Sequence, residues 1–203
     1  MRKNDITEVI KNALIMLAIA LSAGIILGIV HSVTKGPIEI MEQAKKKEAN
    51  SRVFINAYSF EEVPVDTAFV EENLQGVDIG EVLNAQNENG ESLGYVIEVI
   101  SHEGYGGDIV IRVGIQNDGT TNAIAITEIS ETAGLGMRAP DELVPQFVER
   151  NAERFEVVKT GAILDNQINA MSSATITSKA VVGAVNSALD YLHGVLQGGD
   201  VNE

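Results

Sequence analysis

The chain has no cysteine in 203 residues. That excludes disulfides, thiolate-held iron–sulfur clusters and Cys-x-x-Cys-His haem attachment, so any redox chemistry must use another cofactor. Tryptophan is also absent, and aromatic residues make up only 4%. Positive charge is scarce: 14 Lys and Arg stand against 29 Asp and Glu, a formal net charge of −15. Phosphate backbones need the opposite sign, which argues against nucleic acid as a partner. The three histidines, His31, His102 and His193, are scattered without zinc-site spacing and read as surface or interface residues. No Ser-His-Asp or paired-carboxylate arrangement stands out, so no catalytic acid, base or metal ligand is assigned. Repeats and low-complexity segments are absent too.

What the chain does have begins with a long apolar run. Ala13 to Val30 carries no charge, and Ser22 is its one polar side chain. With Asn12, His31 and Ser32 it reaches the roughly 20 residues that cross a hydrocarbon core. Ser22-Ala23-Gly24 imitates a signal-peptide cleavage site, but the apolar run continues past it to Val30. Gly24-x-x-x-Gly28 reads equally as a contact face for a partner helix or as ordinary glycine usage in a membrane helix. Arg2, Lys3 and Lys11 precede the run, and Lys35, Lys45, Lys46 and Lys47 follow it, so the positive-inside count picks no side. Gly36-Pro37 is expected to end the segment, with a charged stalk helix from Ile38 to about Asn50.

The length predicts one folded domain after this segment. Signals from Arg52 to Gly80 are mixed, and Glu61-Glu62-Val63-Pro64 reads as loop. Three β-branched runs then follow, at 93–100, 108–115 and 123–129, separated by Glu103-Gly104-Tyr105-Gly106-Gly107 and by Asn117-Asp118-Gly119-Thr120. The Asp-Gly step is a tight hairpin signal, so an antiparallel meander is predicted. Pro140 opens a predicted helix through Val148 or Arg150, and a strand is predicted at 155–159. Ser172 is expected to start a last helix whose Ile176, Ala180, Ala184, Val185, Ala188, Leu189 and Leu192 pack on the sheet. The chain after Gly194 reads as a frayed end.

Ser172-Ser173-Ala174-Thr175-Ile176-Thr177-Ser178 concentrates hydroxyls and small residues at that helix start. A helix N-terminus leaves N–H groups unpaired and carries partial positive charge, which suits a phosphate. The same run also reads as a plain hydroxyl N-cap.

Asn169-Ala170-Met171-Ser172-Ser173-Ala174-Thr175-Ile176-Thr177 resembles the D-x-x-S-G-A-T-x-T/S flavinylation motif of the FMN-binding domain family. Glu131-Thr132-Ala133-Gly134-Leu135-Gly136 resembles its E-T-P-G-L-G signature, and a Gly-Tyr-Gly-Gly stretch is frequent there as well. With the apolar segment in front, the chain is similar to G subunits of the Rnf-type ferredoxin:NAD oxidoreductase and to C subunits of the sodium-pumping NADH:quinone reductase. Asn169, Ser173 and Ala133 depart from the family's Asp, Gly and Pro. If the backbone at Ser173 requires φ > 0, serine is strained there.

The resemblance implies an α+β fold, an antiparallel sheet packed against helices, with FMN bound covalently through a phosphoester to Thr175. Ser172, Ser173, Ala174 and Thr177 would surround the phosphate, and Glu131, Thr132, Gly134, Leu135 and Gly136 the ring or ribityl chain. It implies a cytoplasmic N-terminus (1–11), a transmembrane helix (12–33), a stalk helix (34–50), an extracytoplasmic FMN-binding domain (51–194) and a flexible tail (195–203). The expected role is an electron-transfer subunit of an Rnf-type complex in the cell membrane, partnered by its other membrane and peripheral subunits and matured by a flavin transferase. The corresponding subunit of a quinone reductase, or a non-redox anchored scaffold or binding module, is the alternative.

Overall fold

A computed structural model describes residues 3–198. The chain divides into two units, 1–45 and 46–203. Helix α1, Lys3–Val53, makes up the described part of the first unit and contributes its last turns to the second. From Ile10 it is long and apolar enough to cross a membrane. Leu14, Met16, Leu17, Ile19, Ile26, Leu27 and Ile29 are all exposed, an apolar surface all round that water would not tolerate and lipid would. The helix continues through Pro37, correcting the expectation that Gly36-Pro37 ends it. Proline removes one backbone hydrogen bond, and the residues on both sides carry the helix past that loss.

The second unit is built on six strands paired antiparallel in chain order. They are β1 (Ser59–Val63), β2 (Val77–Gln86), β3 (Ser92–Ser101), β4 (Ile109–Gln116), β5 (Thr120–Ile129) and β6 (Arg150–Asn151). β3 to β5 are the predicted meander. Its tight turn is closed by Gly119 N–H to the Gln116 carbonyl at 3.0 Å and by Thr120 N–H to the Asp118 carboxylate at 2.9 Å. The Thr120 amide holds the Asp118 carboxyl below its ordinary pKa. Glu61 to Val63, expected as loop, belong instead to edge strand β1, which ends one residue before Pro64. A proline is tolerated there because an edge strand loses no ladder bond beyond its last pair. Helix α2, Thr67–Asn73, precedes β2, and the Asp66 carboxylate caps it by accepting from Phe69 N–H at 3.0 Å.

Alternation along β4 sorts the sheet into two faces. Ile109, Ile111, Val113 and Ile115 join Val82, Ile97 and Val99 under a long C-terminal helix, Thr175–Tyr191, which supplies Val181, Val185, Ala188 and Leu189 and is numbered α4 in chain order. Burying a Val, Leu or Ile side chain contributes about 1.5–3 kcal/mol, so this face holds the main core. Tyr191 is buried, its hydroxyl accepts from Asp66 N–H at 2.8 Å, and burial raises its pKa. Val53, Phe54, Leu83, Ala85 and Val96 form a smaller cluster on the opposite face.

That second face also carries charge. Arg112 is fully buried, opposite Glu98 in the β3–β4 register. Its guanidinium donates to Glu98 at 2.6 Å, to Glu81 at 2.5 Å and to the Asn50 side-chain oxygen at 2.5 Å. A register shift between Ile79 and Val82 adds one residue to β2, so that Gly80 and Glu81 together oppose Glu98, and such a bulge re-aims a side chain. Here it lets Glu81 reach Arg112.

The helix predicted from Pro140 is shorter than expected. It is α3, Ala139–Glu142, followed by a separate 3₁₀ turn at Val144–Phe147. Pro145 has no N–H with which to continue an α-helix, so the chain tightens and turns. Short strands β7 (Glu156–Val158) and β8 (Gln167–Asn169) pair in parallel. After Tyr191 a wider π-helical turn spans Leu192–Leu196, and Gln197 Nε2 donates to the Asn117 carbonyl at 2.8 Å. Of the expected tail, residues 199–203 lie outside the described residues.

Candidate functional site

The loop after β5 and the turn before α4 meet across a cavity of about 550 Å³. Glu131, Thr132, Leu135 and Gly136 line it from one side, and Ser173, Ala174, Thr175, Ile176 and Thr177 from the other. The two segments singled out in the sequence, more than thirty residues apart, thus share one cavity.

The loop is a tight, internally bonded structure. Leu135 and Met137 N–H both donate to the Thr132 carbonyl, at 3.1 and 3.3 Å, and Gly134 adopts φ 75° at the bend. Gly136 then runs so close to its neighbours that a Cβ there would lie 2.7 Å from both Glu131 Cβ and Thr177 Oγ1. Only glycine lets the loop touch the first turn of α4 in this way. Tyr105, from the Gly104–Gly107 stretch, also lines the cavity, and its N–H donates to Glu131 Oε1 at 2.7 Å. The Gly-Tyr-Gly-Gly stretch is therefore pinned: a Cβ on Gly106 would run into the Ser130 carbonyl.

The start of α4 differs from the expectation. The helix begins at Thr175 rather than Ser172, its N-cap position is Ala174, and no side chain caps it. Ser172 and Ser173 sit instead in a turn closed by Ala174 N–H to the Met171 carbonyl at 3.2 Å. The hydroxyl that organises this segment is Ser178: it accepts from Met171 N–H at 3.0 Å and donates to the Ala174 carbonyl at 2.9 Å. With no cap, the first N–H groups of α4 are left for water or a ligand. Ser173 has φ 63°, which meets the condition for strain at that position. The serine occupies a left-handed conformation that costs an L-residue about 1–2 kcal/mol.

Thr175 and Thr177 have opposite environments. Thr175 is exposed, and its hydroxyl makes no hydrogen bond among the described residues; Thr177 is 1% exposed against Gly136. Ser172 and Gly134 are near but do not line the cavity. The Ser172 carbonyl accepts from Arg138 Nη2 at 3.0 Å. Asn169 is occupied structurally: its side-chain oxygen accepts from Ala162 N–H at 2.9 Å.

Three neighbours of the site go beyond the residues expected from the sequence. Tyr105 reads in the sequence only as part of a turn. Ile176, expected on the packing face of α4, is instead 53% exposed at the cavity, and the buried face of the helix passes through Thr177, Ser178 and Ala180. Arg138 carries no sequence signal, since a lone arginine after a loop reads as solvent-facing. Among the described residues no group of His, Asp and Glu is placed to hold a metal. His102 is bound between two carboxylates, Asp108 at 2.9 Å and Asp78 at 3.1 Å.

Residues 104–190 match the FMN-binding domain family. The G subunit of the Na(+)-translocating ferredoxin:NAD(+) oxidoreductase complex of Acetobacterium woodii is 33% identical over 91% of this chain and 92% of that one. The proton-translocating counterpart from Clostridium ljungdahlii is 31% identical over 94% and 93%. The crystal structure of Shewanella oneidensis NqrC covers 68% of this chain and 67% of that chain at 16% identity, with a TM-score of 0.47. Likeness of this extent to relatives from end to end leads to one conclusion: the chain belongs to the family of G subunits of ion-translocating oxidoreductase complexes.

Proposed function

We propose that the protein relays electrons within a membrane-bound, Rnf-type ferredoxin:NAD oxidoreductase complex, through FMN held by a phosphoester on Thr175. The observation that carries this reading is the Thr175 hydroxyl, exposed and without a protein partner among the described residues, in the cavity shared by both signature segments.

The residues present fit a flavin nucleotide. The cavity's volume lies within the roughly 300–1,000 Å³ of small-molecule sites. Tyr105, Leu135 and Ile176 offer apolar surface for a planar ring, and the uncapped start of α4 offers N–H donors and a positive dipole end for a phosphate. Gly136 gives the close approach a side chain would block. When bound, FMN supplies the electron transfer. The chain's own residues orient it: Thr175 fixes one end, the Glu131–Gly136 loop bounds the other, and Glu131 holds Tyr105 at the cavity through its amide.

The membrane helix tethers this domain beside its partner subunits, and the domain lies on the extracytoplasmic side. There a dissociated FMN would not be replaced, so a covalent bond made by a flavin transferase has a clear use. The likeness to G subunits over nine-tenths of the sequence favours the Rnf-type complex over a quinone reductase.

The test is a denaturing gel viewed under ultraviolet light, with the chain produced alongside a flavin transferase. The wild-type band should fluoresce and Thr175→Ala should be dark. Fluorescence kept in Thr175→Ala would move the acceptor elsewhere, and a dark wild type would leave the anchored scaffold as the better reading.

A further inference from the structure

We infer that Arg138 is a positioning residue for the attachment at Thr175, acting by locking the one peptide whose rotation would release the strained Ser173 backbone. The inference rests on the reading of Thr175 as the flavin acceptor.

The turn Met171–Ala174 places Ser173 at its third position with φ 63°. Turns with positive φ at that position select glycine or asparagine, because a Cβ is crowded there. The family motif has glycine; this chain has serine, and the serine hydroxyl makes no hydrogen bond among the described residues to offset the strain. A turn of this kind relaxes by flipping its central peptide, which returns the third residue to negative φ. The carbonyl of that central peptide belongs to Ser172, and it is the group that Arg138 Nη2 holds at 3.0 Å.

The guanidinium is itself fixed on the other side of the cavity. Nη1 donates to Glu142 at 2.6 Å and Nε to the Leu135 carbonyl at 3.4 Å, so each of its three nitrogens already has an acceptor. This arrangement braces a backbone carbonyl from a fixed guanidinium. The segment before the turn is held from the same side: Gln146 accepts from Asn169 N–H at 2.8 Å and donates to the Asn169 carbonyl at 3.2 Å. Residues 138–146 therefore bracket the chain leading into Thr175, and Arg138 grips the part that can flip.

Attachment forms the bond between Thr175 Oγ and the flavin phosphorus. With a mixed phosphoanhydride of FMN and a second nucleoside monophosphate as donor, the P–O bond from the flavin phosphorus to the bridging oxygen breaks, the second nucleoside monophosphate leaves, and the hydroxyl proton passes to solvent; nothing is oxidised or reduced. The threonine must meet the donor beside Ser173, and a flipped turn reverses the Ser172–Ser173 peptide at the edge of that cavity.

The experiment uses full-length chain in detergent, a flavin transferase and that donor, comparing wild type, Arg138→Met, Ser173→Gly and the double variant. Arg138→Met should incorporate flavin about tenfold more slowly, the population shift expected when the strained state loses its brace. The double variant should return to within about threefold of wild type, because glycine holds the turn unaided. A second readout needs no flavin: the exchange rate of the Ser173 amide hydrogen, which the flip reorients, should change in Arg138→Met and return toward wild type in the double variant. Wild-type incorporation and exchange in Arg138→Met would overturn the inference, as would a double variant as slow as Arg138→Met. If wild type takes up no flavin but the exchange pattern holds, it is the Thr175 reading that fails and with it the link to attachment.

Discussion

Two polar clusters lie within one domain, and they differ in how completely they are satisfied. Around Arg112 the side chains of Glu81, Glu98 and Asn50 converge on a fully buried guanidinium, and Lys46 adds an ion pair to Glu98 at 3.4 Å. Around Thr175 the opposite holds: the helix is uncapped, the threonine hydroxyl has no partner among the described residues, and the backbone at Ser173 is strained. Arg112 Nε is left without a partner, but both terminal nitrogens of the guanidinium are paired within the sheet and to Asn50, so the cluster fixes the sheet against the end of α1. An unsatisfied cluster beside a cavity is where a ligand gains most by binding.

This contrast predicts separable effects. The largest is on the open cluster: Thr175→Ala should remove covalent flavin entirely while shifting stability by no more than about 0.5 kcal/mol, as surface substitutions do. Gel fluorescence and urea denaturation together check it, and a large stability loss would mean that Thr175 is structural. Next comes the closed cluster. Arg112→Met leaves the buried Glu98 with only the half-exposed Lys46 and should cost about 3–5 kcal/mol in urea denaturation, with unchanged flavin stoichiometry in the protein that folds. A cost near zero would make the cluster an ordinary surface pair and dissolve the contrast.

How far these clusters can be read in the sequence differs as well. The meander is legible because β-branched runs alternate and Asp118-Gly119 marks the turn. β1 and β2 are not: β1 is short and acidic, and the bulge at Gly80–Glu81 breaks the period of β2. Glu131–Gly136 and Ser172–Ser178 are legible as segments, since each concentrates residues with special backbone or hydroxyl chemistry. The roles inside them are less so. Ser178 rather than Ser172 organises the helix start, and that depends on where Met171 falls in three dimensions. Arg112 is invisible because an arginine in a strand reads as solvent-facing, and only the bulge and the end of α1 bury it. Arg138 escapes for the same reason.

A smaller effect sharpens the comparison at Ser173. Replacing it with glycine removes a left-handed strain of about 1–2 kcal/mol but adds about 0.5–1 kcal/mol of backbone entropy cost, a net gain of up to about 1.5 kcal/mol. Urea midpoints should rise accordingly; a fall would show that the serine side chain contributes contacts beyond its backbone. The smallest effect concerns His102, whose pKa is raised by hydrogen bonds to Asp108 and then Asp78. A raised folded-state pKa stabilises the fold below the ordinary histidine value of 6.5 and ceases to do so as the pH climbs through the folded value. Because the pair is exposed, the melting temperature of wild type should exceed that of His102→Gln by only about 1–2 °C at about pH 5.5, and the gap should close by about pH 8.5. A gap independent of pH would mean that the imidazole acts by packing.

The central claim, that the open cluster exists to carry a flavin on one hydroxyl, is tested most directly by peptide mass spectrometry on the chain purified from its native membrane. The account predicts that the peptide containing Thr175 carries FMN through a phosphoester, with fragment ions that place it on Thr175 and not on Thr177. A native chain whose Thr175 peptide is unmodified would contradict it.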